Sequence, residues 1–326
     1  MLSVNEAIST LLENCERLVE SEQVSLMEAT GRTLAADVVA PIDVPPADNS
    51  AMDGYAIRFA DWKGADTALP LSQRITAGSV PGKLAQGSAA RIFTGAEVPE
   101  GADTVVMQEH CSEENGAVNI LKLPLQGANI RRRGQDLATG QTVLTAGHRL
   151  RSQDLGLAAS LGIADISVYR RLKVAVMSTG DELREPGEAI QPGQIYNSNR
   201  YTMKSQLQTW GFEVVDLGVA RDAHDAVRDM MLKAAGLADV VVTSGGVSVG
   251  EEDHVKAVVE ELGAINLWKI AVKPGKPFAF GQVRGTPFIG LPGNPVSVFV
   301  TMLVIARPYL FACQGNSDTA VHAVRQ

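Results

Sequence analysis

From Lys173 onward the chain alternates short β-branched runs with helical patterns, and no other feature restricts its possible folds so tightly. "KVAVMSTG" (173–180), "EVVDLGVA" (213–220) and "DVVVTSGG" (239–246) are nearly uninterrupted apolar strands, separated by helical patterns near 199–210, 223–236 and 253–262. A strand with no polar face must be covered on both sides, so the pattern predicts a parallel or mixed sheet with helices on both faces. Ligands of such open sheets lie beyond the carboxyl ends of the strands. That rule singles out "STGDEL" (178–183) and "TSGGVSVGEED" (243–253), each of which follows a strand with hydroxyl, glycine and acid in turn.

Upstream the texture differs. Val4, Ala7, Ile8, Leu11, Leu12, Cys15 and Leu18 recur at helical spacing, which predicts an amphipathic opening helix over residues 4–20. From Pro45 to about Gly147, short β-like runs are separated by Gly, Pro and Asn turns, the pattern of an all-β insert. The expected organisation is a segmented N-terminal domain (1–44 and 147–170), an inserted β-rich domain (45–146), an α/β domain (171–312) and a short tail (313–326). A chain of 326 residues, 45% hydrophobic, is long enough for two or three such cores.

Composition then removes function classes. A net charge of −8 argues against a general nucleic-acid or anionic-membrane surface. Three scattered cysteines form neither a disulfide framework nor a metal-ligand pair, the N-terminus lacks a signal pattern, and "FIGLPGNPVSVFVTMLVIARPYL" (288–310) is interrupted by prolines, Gly293, Asn294 and Arg307. The expectation is a cytoplasmic protein with no membrane span. The five histidines show no ligand or triad spacing, and neither a P-loop nor a dinucleotide fingerprint is present.

The remaining chemistry sits in loops. Gly245 and Gly246 can expose backbone amides beside the hydroxyls of Ser244 and Ser248, which suits a phosphate, although a plain tight turn reads the same way. Glu182, Asp222 and Asp253 fall where a doubly wound sheet gathers them at one edge. Carboxylates beside a phosphate site hold Mg²⁺ or another divalent cation; helix capping is the alternative for Asp222 and Asp253. "KIAVKPGKPFAFG" (269–281) sets Lys269, Lys273 and Lys276 around a Pro-Gly turn, either an oxyanion seat or ordinary solvated lysines. "GLPGNPVS" (290–297) opens a helix with Asn294 and Ser297, "NIRRRGQD" (129–136) is a basic run inside the β insert, and "DVPPADNSAMDGYAIR" (43–58) reads as an irregular functional loop.

Taken together, "DNSAMDGYA", "RIFTGAEVPEGADTVVMQE", "NIRRRGQD", "STGDEL", "TSGGVSVGEEDH", "KPGKPFAFG" and "GLPGNPVS" resemble, in order and over nearly the whole chain, the molybdopterin molybdenumtransferase family. Its members are the bacterial MoeA proteins and the corresponding part of gephyrin. The resemblance implies insertion of molybdenum from molybdate into adenylylated molybdopterin, with release of AMP and a requirement for a divalent cation. It implies active-site roles for Asp53, Thr94, Glu182, Asp222 and Asp253, the last three as metal ligands. Lys273, Lys276 and Pro277 match the molybdate-holding turn. Ser178, Thr179, Gly180, Ser244, Gly245, Gly246, Ser248 and Asn294 are the expected substrate-binding residues. A homodimer is also implied, with a molybdopterin adenylyltransferase and molybdoenzymes as further partners. Family members continue into a C-terminal β-domain where this sequence stops at Gln326, so a non-catalytic molybdopterin-binding or scaffold role stands as the alternative.

Overall fold

A computed structural model describes residues 1–64, 66–122, 124–246, 254–274 and 276–319. Two compact units emerge: Met1–Asp37 with Leu144–Ala159 and Ile163–Gln326, and Val38–Val143 with Ser160–Gly162.

In the larger unit the opening helix, α1 (Val4–Glu13), starts on a capping box: Glu6 N–H donates to Ser3 Oγ, and Ser3 N–H to Glu6 Oε2. The helix ends seven residues short of the predicted limit. Asn14 caps it and Cys15 N–H turns back to Leu12 O, after which Val19 is buried and Leu18 packs on the same core from an extended segment. The apolar spacing therefore continued for burial, without a helix to carry it. After α2 (Ser152–Ser160), the strand Asp165–Tyr169 pairs antiparallel with Ser21–Ser25.

The predicted alternation follows. β1 (Lys173–Thr179), α3 (Ser198–Trp210), β2 (Glu213–Ala220), α4 (His224–Leu237), β3 (Val240–Ser244) and α5 (His254–Leu262) lead to β4 (Gly263–Lys269), β5 (Pro277–Val283) and β6 (Thr286–Leu291). The six strands form one sheet in the order β2-β1-β3-β6-β5-β4. β2, β1, β3 and β6 are mutually parallel, whereas β5 runs antiparallel to both β6 and β4. The sheet is thus mixed, with a hairpin added to a parallel core.

Why these strands are apolar throughout is visible in their period of two. Val174 and Val176, Val240 and Val242, and Ile289 and Leu291 join Ala7, Leu11, Met203, Leu207, Val298 and Leu310 in one core. Ala175, Met177, Val241 and Phe288 join Val227, Met231, Val255, Val258 and Val259 of α4 and α5 in the other. Each strand spends alternate residues on opposite layers.

The last helical stretch departs from expectation. α6 (Pro295–Thr301), a π-type segment (Met302–Ala306) and α7 (Arg307–Cys313) form a continuous 19-residue helix, long and apolar enough to cross a membrane by length and composition. Val298, Met302, Ile305, Ala306, Tyr309 and Leu310 are buried in the core of the unit. The prolines do not break it. Pro295 occupies the first turn, where no N–H is needed, and Pro308 follows the π segment, in which Arg307 N–H reaches Met302 O.

In the second unit a six-stranded sheet has the order Thr104–Met107, Gly54–Ile57, Ala89–Ile92, Ala68–Ile75, Ala117–Ile120, Cys111–Glu114. Gly54 has to be glycine for a packing reason: a Cβ there would lie 1.9 Å from Val106 O on the adjacent strand. The basic run is neutralised locally. Arg131 pairs with Asp136, Arg132 with Asp48 at 2.6 Å, and Arg133 with Asp43 at 2.5 Å.

Candidate functional site

The loops at the carboxyl ends of β1, β2, β3 and β6 are tied to one another by specific contacts. Past β1, Gly180 adopts φ +142°, and the Glu182 carboxylate folds back so closely that a Cβ on Gly180 would sit 2.3 Å from Glu182 Oε2. Asp181 Oδ1 accepts the backbone N–H of Asp222 at 3.1 Å, joining the β1 loop to the β2 loop. A Cβ on Gly245 would fall 3.5 Å from Thr179 O, and one on Gly293 would fall 3.9 Å from Gly245 Cα. Asn199 Nδ2, in the first turn of α3, donates to Gly293 O at 2.8 Å. Asp222, Asp181, Glu182, Thr179, Gly245 and Gly293 thus form one continuous rim.

Individual residues differ in how much they leave open. Ser178 and Ser244 are buried between β1 and β3, with their hydroxyl oxygens 3.5 Å apart, and Thr179 is buried beside them. The Gly245 amide is not bare as the sequence suggested: it donates to Leu291 O at 3.1 Å, as a continuation of the β3–β6 ladder. Gly245 and Gly246 both take positive φ, +85° and +66°, so the turn itself needs glycine. Ser248 and Asp253 lie outside the described residues. Asn294 is the N-cap of α6, accepting from Val296 N–H at 3.0 Å and Ser297 N–H at 3.2 Å.

The helix-cap alternative for Asp222 does not hold. α4 is capped at Ala223, with no side-chain hydrogen bond. The Asp222 carboxylate is exposed and its backbone N–H is held by Asp181, so the neighbouring acid supports the loop while Asp222 presents its side chain. Among the described residues no three His, Cys, Asp or Glu side chains gather as a metal cluster. Glu182 and Asp222 remain at one edge, and two carboxylates are the oxygen ligands that a hard divalent cation such as Mg²⁺ takes, with few protein ligands needed.

Opposite the acids, the turn between β4 and β5 carries the lysines. Ile270 N–H donates to Lys276 O at 2.8 Å, closing the turn, and Lys273, Lys276 and Pro277 are exposed. Since Ala279 pairs with Gly290, the start of β5 lies level with the end of β6, and the lysine turn shares the rim's end of the sheet.

Three residues carry roles that the sequence did not assign. Asp181 was overlooked beside Glu182 because only its tertiary neighbour reveals its role. Asn199 Oδ1 is buried and lacks a hydrogen-bond partner among the described residues, as does Thr243 Oγ1, so both could meet a ligand. No sequence signal marked Asn199, whereas Thr243 opens the stretch 243–253.

In the second unit Asp53 and Thr94 form a pair of their own: Thr94 donates to Asp53 Oδ1 through its N–H at 2.8 Å and its hydroxyl at 2.7 Å. The Thr94 amide, then its hydroxyl, holds the Asp53 carboxyl below the usual carboxylate range. Asp53 is thereby kept ionised.

Residues 175–312 match the family described as a probable molybdopterin binding domain, and residues 2–162 the MoeA N-terminal region (domain I and II). The class is that of molybdopterin-binding domains joined to a MoeA-type N-terminal region. A molybdopterin molybdenumtransferase of Haemophilus influenzae is 46% identical over 98% of this chain and 79% of its own length. One from Nostoc is 38% identical over 93% and 72%. The crystal structure of a molybdopterin biosynthesis MoeA protein from Pyrococcus horikoshii superposes with a TM-score of 0.85 at 30% identity, over 98% of this chain and 81% of that one. The chain belongs to the molybdopterin molybdenumtransferase family.

Proposed function

We propose that this chain, a transferase of molybdenum cofactor biosynthesis by its family, inserts molybdenum from molybdate into adenylylated molybdopterin and releases AMP. The observation that carries the reading is the rim itself. Acids, glycine turns and lysines line the carboxyl end of a parallel core inside the matched molybdopterin-binding region. The Gly293 turn leaves room for the phosphate side of the substrate, and Asn199 and Thr243 offer buried polar groups beneath it. Lys273 and Lys276 offset the charge of the molybdate dianion. Mg²⁺, or another divalent cation, is to be held by Glu182, Asp222 and Asp253, where it would polarise the phosphoanhydride that is cleaved. Asp181 keeps the Asp222 loop in place.

The homodimer rests on the family resemblance, as does partnership with a molybdopterin adenylyltransferase; the cytoplasmic address rests on the scattered cysteines and the N-terminal pattern of the sequence. In a dimer the ionised Asp53 and its Thr94 would serve a neighbouring copy's cleft. Sedimentation tests the dimer, and mixed Asp53→Ala and Asp222→Ala subunits test the sharing. The central experiment is AMP release from adenylylated molybdopterin with Mg²⁺ and molybdate. Molybdate-dependent release that Asp222→Ala abolishes supports the reading; substrate binding without release overturns it in favour of a scaffold.

A further inference from the structure

A collection of arginines lines a cavity that lies away from the rim. A cavity of about 440 Å³ is lined by Gly31, His148, Arg149, Arg151, Arg307 and Phe311, among others, all in the larger unit. Its size falls in the range of small-molecule sites. In a chain with net charge −8, three guanidinium groups around one hollow are a local reversal of sign.

Their arrangement is ordered. Arg149 donates from Nη2 to Trp210 O at 2.9 Å and from Nε to Gly31 O at 3.2 Å, so backbone carbonyls fix its plane and no acid is consumed in doing so. Its guanidinium carbon lies 5.1 Å from the centre of the Phe311 ring, and that of Arg307 lies 4.8 Å from the same ring. Phe311, only 4% exposed, is a rigid platform that holds both cations. Arg151 is spent on Asp154, with contacts of 3.0 and 3.2 Å, and His148 shares that carboxylate. Burial, together with the nearby Arg307 and Arg171 charges, lowers the Arg149 guanidinium from its ordinary value, as expected where cations crowd. Asp318, on the rim of the cavity, is itself engaged.

We propose that this cavity is a second anion site, in which Arg149 and Arg307 grip a phosphate dianion above Phe311. Planar forks matched to phosphate oxygens favour a tetrahedral dianion over a monovalent ion. The phosphate group can come from inorganic phosphate or from a nucleoside monophosphate; the shared chemistry is the dianion. This site is independent of the transferase reading.

The test is calorimetric titration of the full chain with inorganic phosphate, AMP and adenosine. Phosphate and AMP should bind saturably and adenosine should not. AMP binding that Arg307→Gln weakens and that is much tighter than phosphate identifies a nucleotide at this cavity, and equal affinity identifies free phosphate; AMP binding that only Asp222→Ala weakens belongs to the rim and overturns the nucleotide arm. Arg307→Gln should weaken the phosphate isotherm about tenfold or more, the loss expected for charge-assisted hydrogen bonds. It should leave the melting midpoint and molybdate-dependent AMP release unchanged. Ser317→Glu, an exposed change at the cavity mouth, should weaken binding in the same sense and covers the case in which Arg307→Gln fails to fold. Lys276→Ala, in the lysine turn, should leave this isotherm intact, which separates the two anion sites. Absent saturable phosphate binding, isotherms of Arg307→Gln and Ser317→Glu that superpose on the parent, or adenosine binding as well as AMP, each overturn the proposal.

Discussion

Gly180→Ala is the substitution through which the rim can be probed most sharply. Two separate effects follow from it. The backbone at φ +142° is one that an L side chain rarely adopts, which costs on the order of 1–3 kcal/mol of stability. The new Cβ would also lie 2.3, 2.8 and 2.9 Å from Glu182 Oε2, Cδ and Oε1, so the carboxylate must swing away. Because the obstructing atoms end a flexible side chain, that movement costs little stability yet relocates the group proposed to hold the metal. Gly187 supplies the control: its φ is +98° and a Cβ there meets nothing within 4 Å. Both variants should lose comparable stability in urea titrations followed by circular dichroism. Only Gly180→Ala should lose AMP release, by about tenfold or more, since about 1.4 kcal/mol of transition-state stabilisation suffices for that factor. Equal activity loss in Gly187→Ala, or wild-type turnover with an unchanged Mg²⁺ requirement in Gly180→Ala, would refute the reasoning.

Asp181→Ala removes the acceptor of the Asp222 N–H and should raise the Mg²⁺ concentration for half-maximal AMP release with little change in the melting midpoint. Asn294→Ala removes the α6 cap and should cost about 1–2 kcal/mol in urea unfolding, the usual price of a lost N-cap. The Asp43 carboxyl is drawn down to about 2 by the Thr139 amide, then by Arg133 and the Thr139 hydroxyl. A depressed folded value means the stabilisation is complete above the unfolded value of about 4 and drains away as pH falls toward 2. Melting midpoints recorded across that interval should fall, and Asp43→Asn should flatten the fall. Cys15 Sγ and Cys313 Sγ lie 3.4 Å apart, whereas burial pushes the Cys111 thiol up to about 11. Diamide should therefore join Cys15 to Cys313 and leave Cys111 open to slow alkylation, as peptide mass mapping would show.

The sheet was legible because its signal is local: a β-branched run such as Val240–Val242 has no polar residue to offer solvent and so reports two covered faces. The fourth parallel strand, β6, and its antiparallel neighbour carry the same apolar texture, and nothing in them announces direction. α1 was overextended because Leu18 and Val19 keep the apolar spacing while the backbone has already left the helix at Asn14. The final helix was underestimated because Pro308 reads as a breaker until a π-type turn before it is seen. In the site, glycine and acid spacing pointed to the loops that the contacts of Asp181 with Asp222 and of Gly245 with Thr179 bring together. Which atoms are spent was invisible where the partner is distant in sequence: the Gly245 amide belongs to the Leu291 carbonyl, and Asp181 serves Asp222.

The hairpin added to the parallel core acts as a ruler. Acids project from the loops of β1 and β2, and the lysine turn precedes β5, with β3 and β6 between them. Adjacent strands stand about 4.8 Å apart, so three steps from β1 to β5 separate the two poles by roughly 14 Å at strand level. An ion as small as molybdate cannot touch both. Only an elongated molecule can span them, with an anionic group toward the lysines and, toward the acids, a phosphate that a divalent cation bridges; reversing it would place the wrong group against each pole. Strand order therefore sets both the length and the direction of whatever lies across this edge.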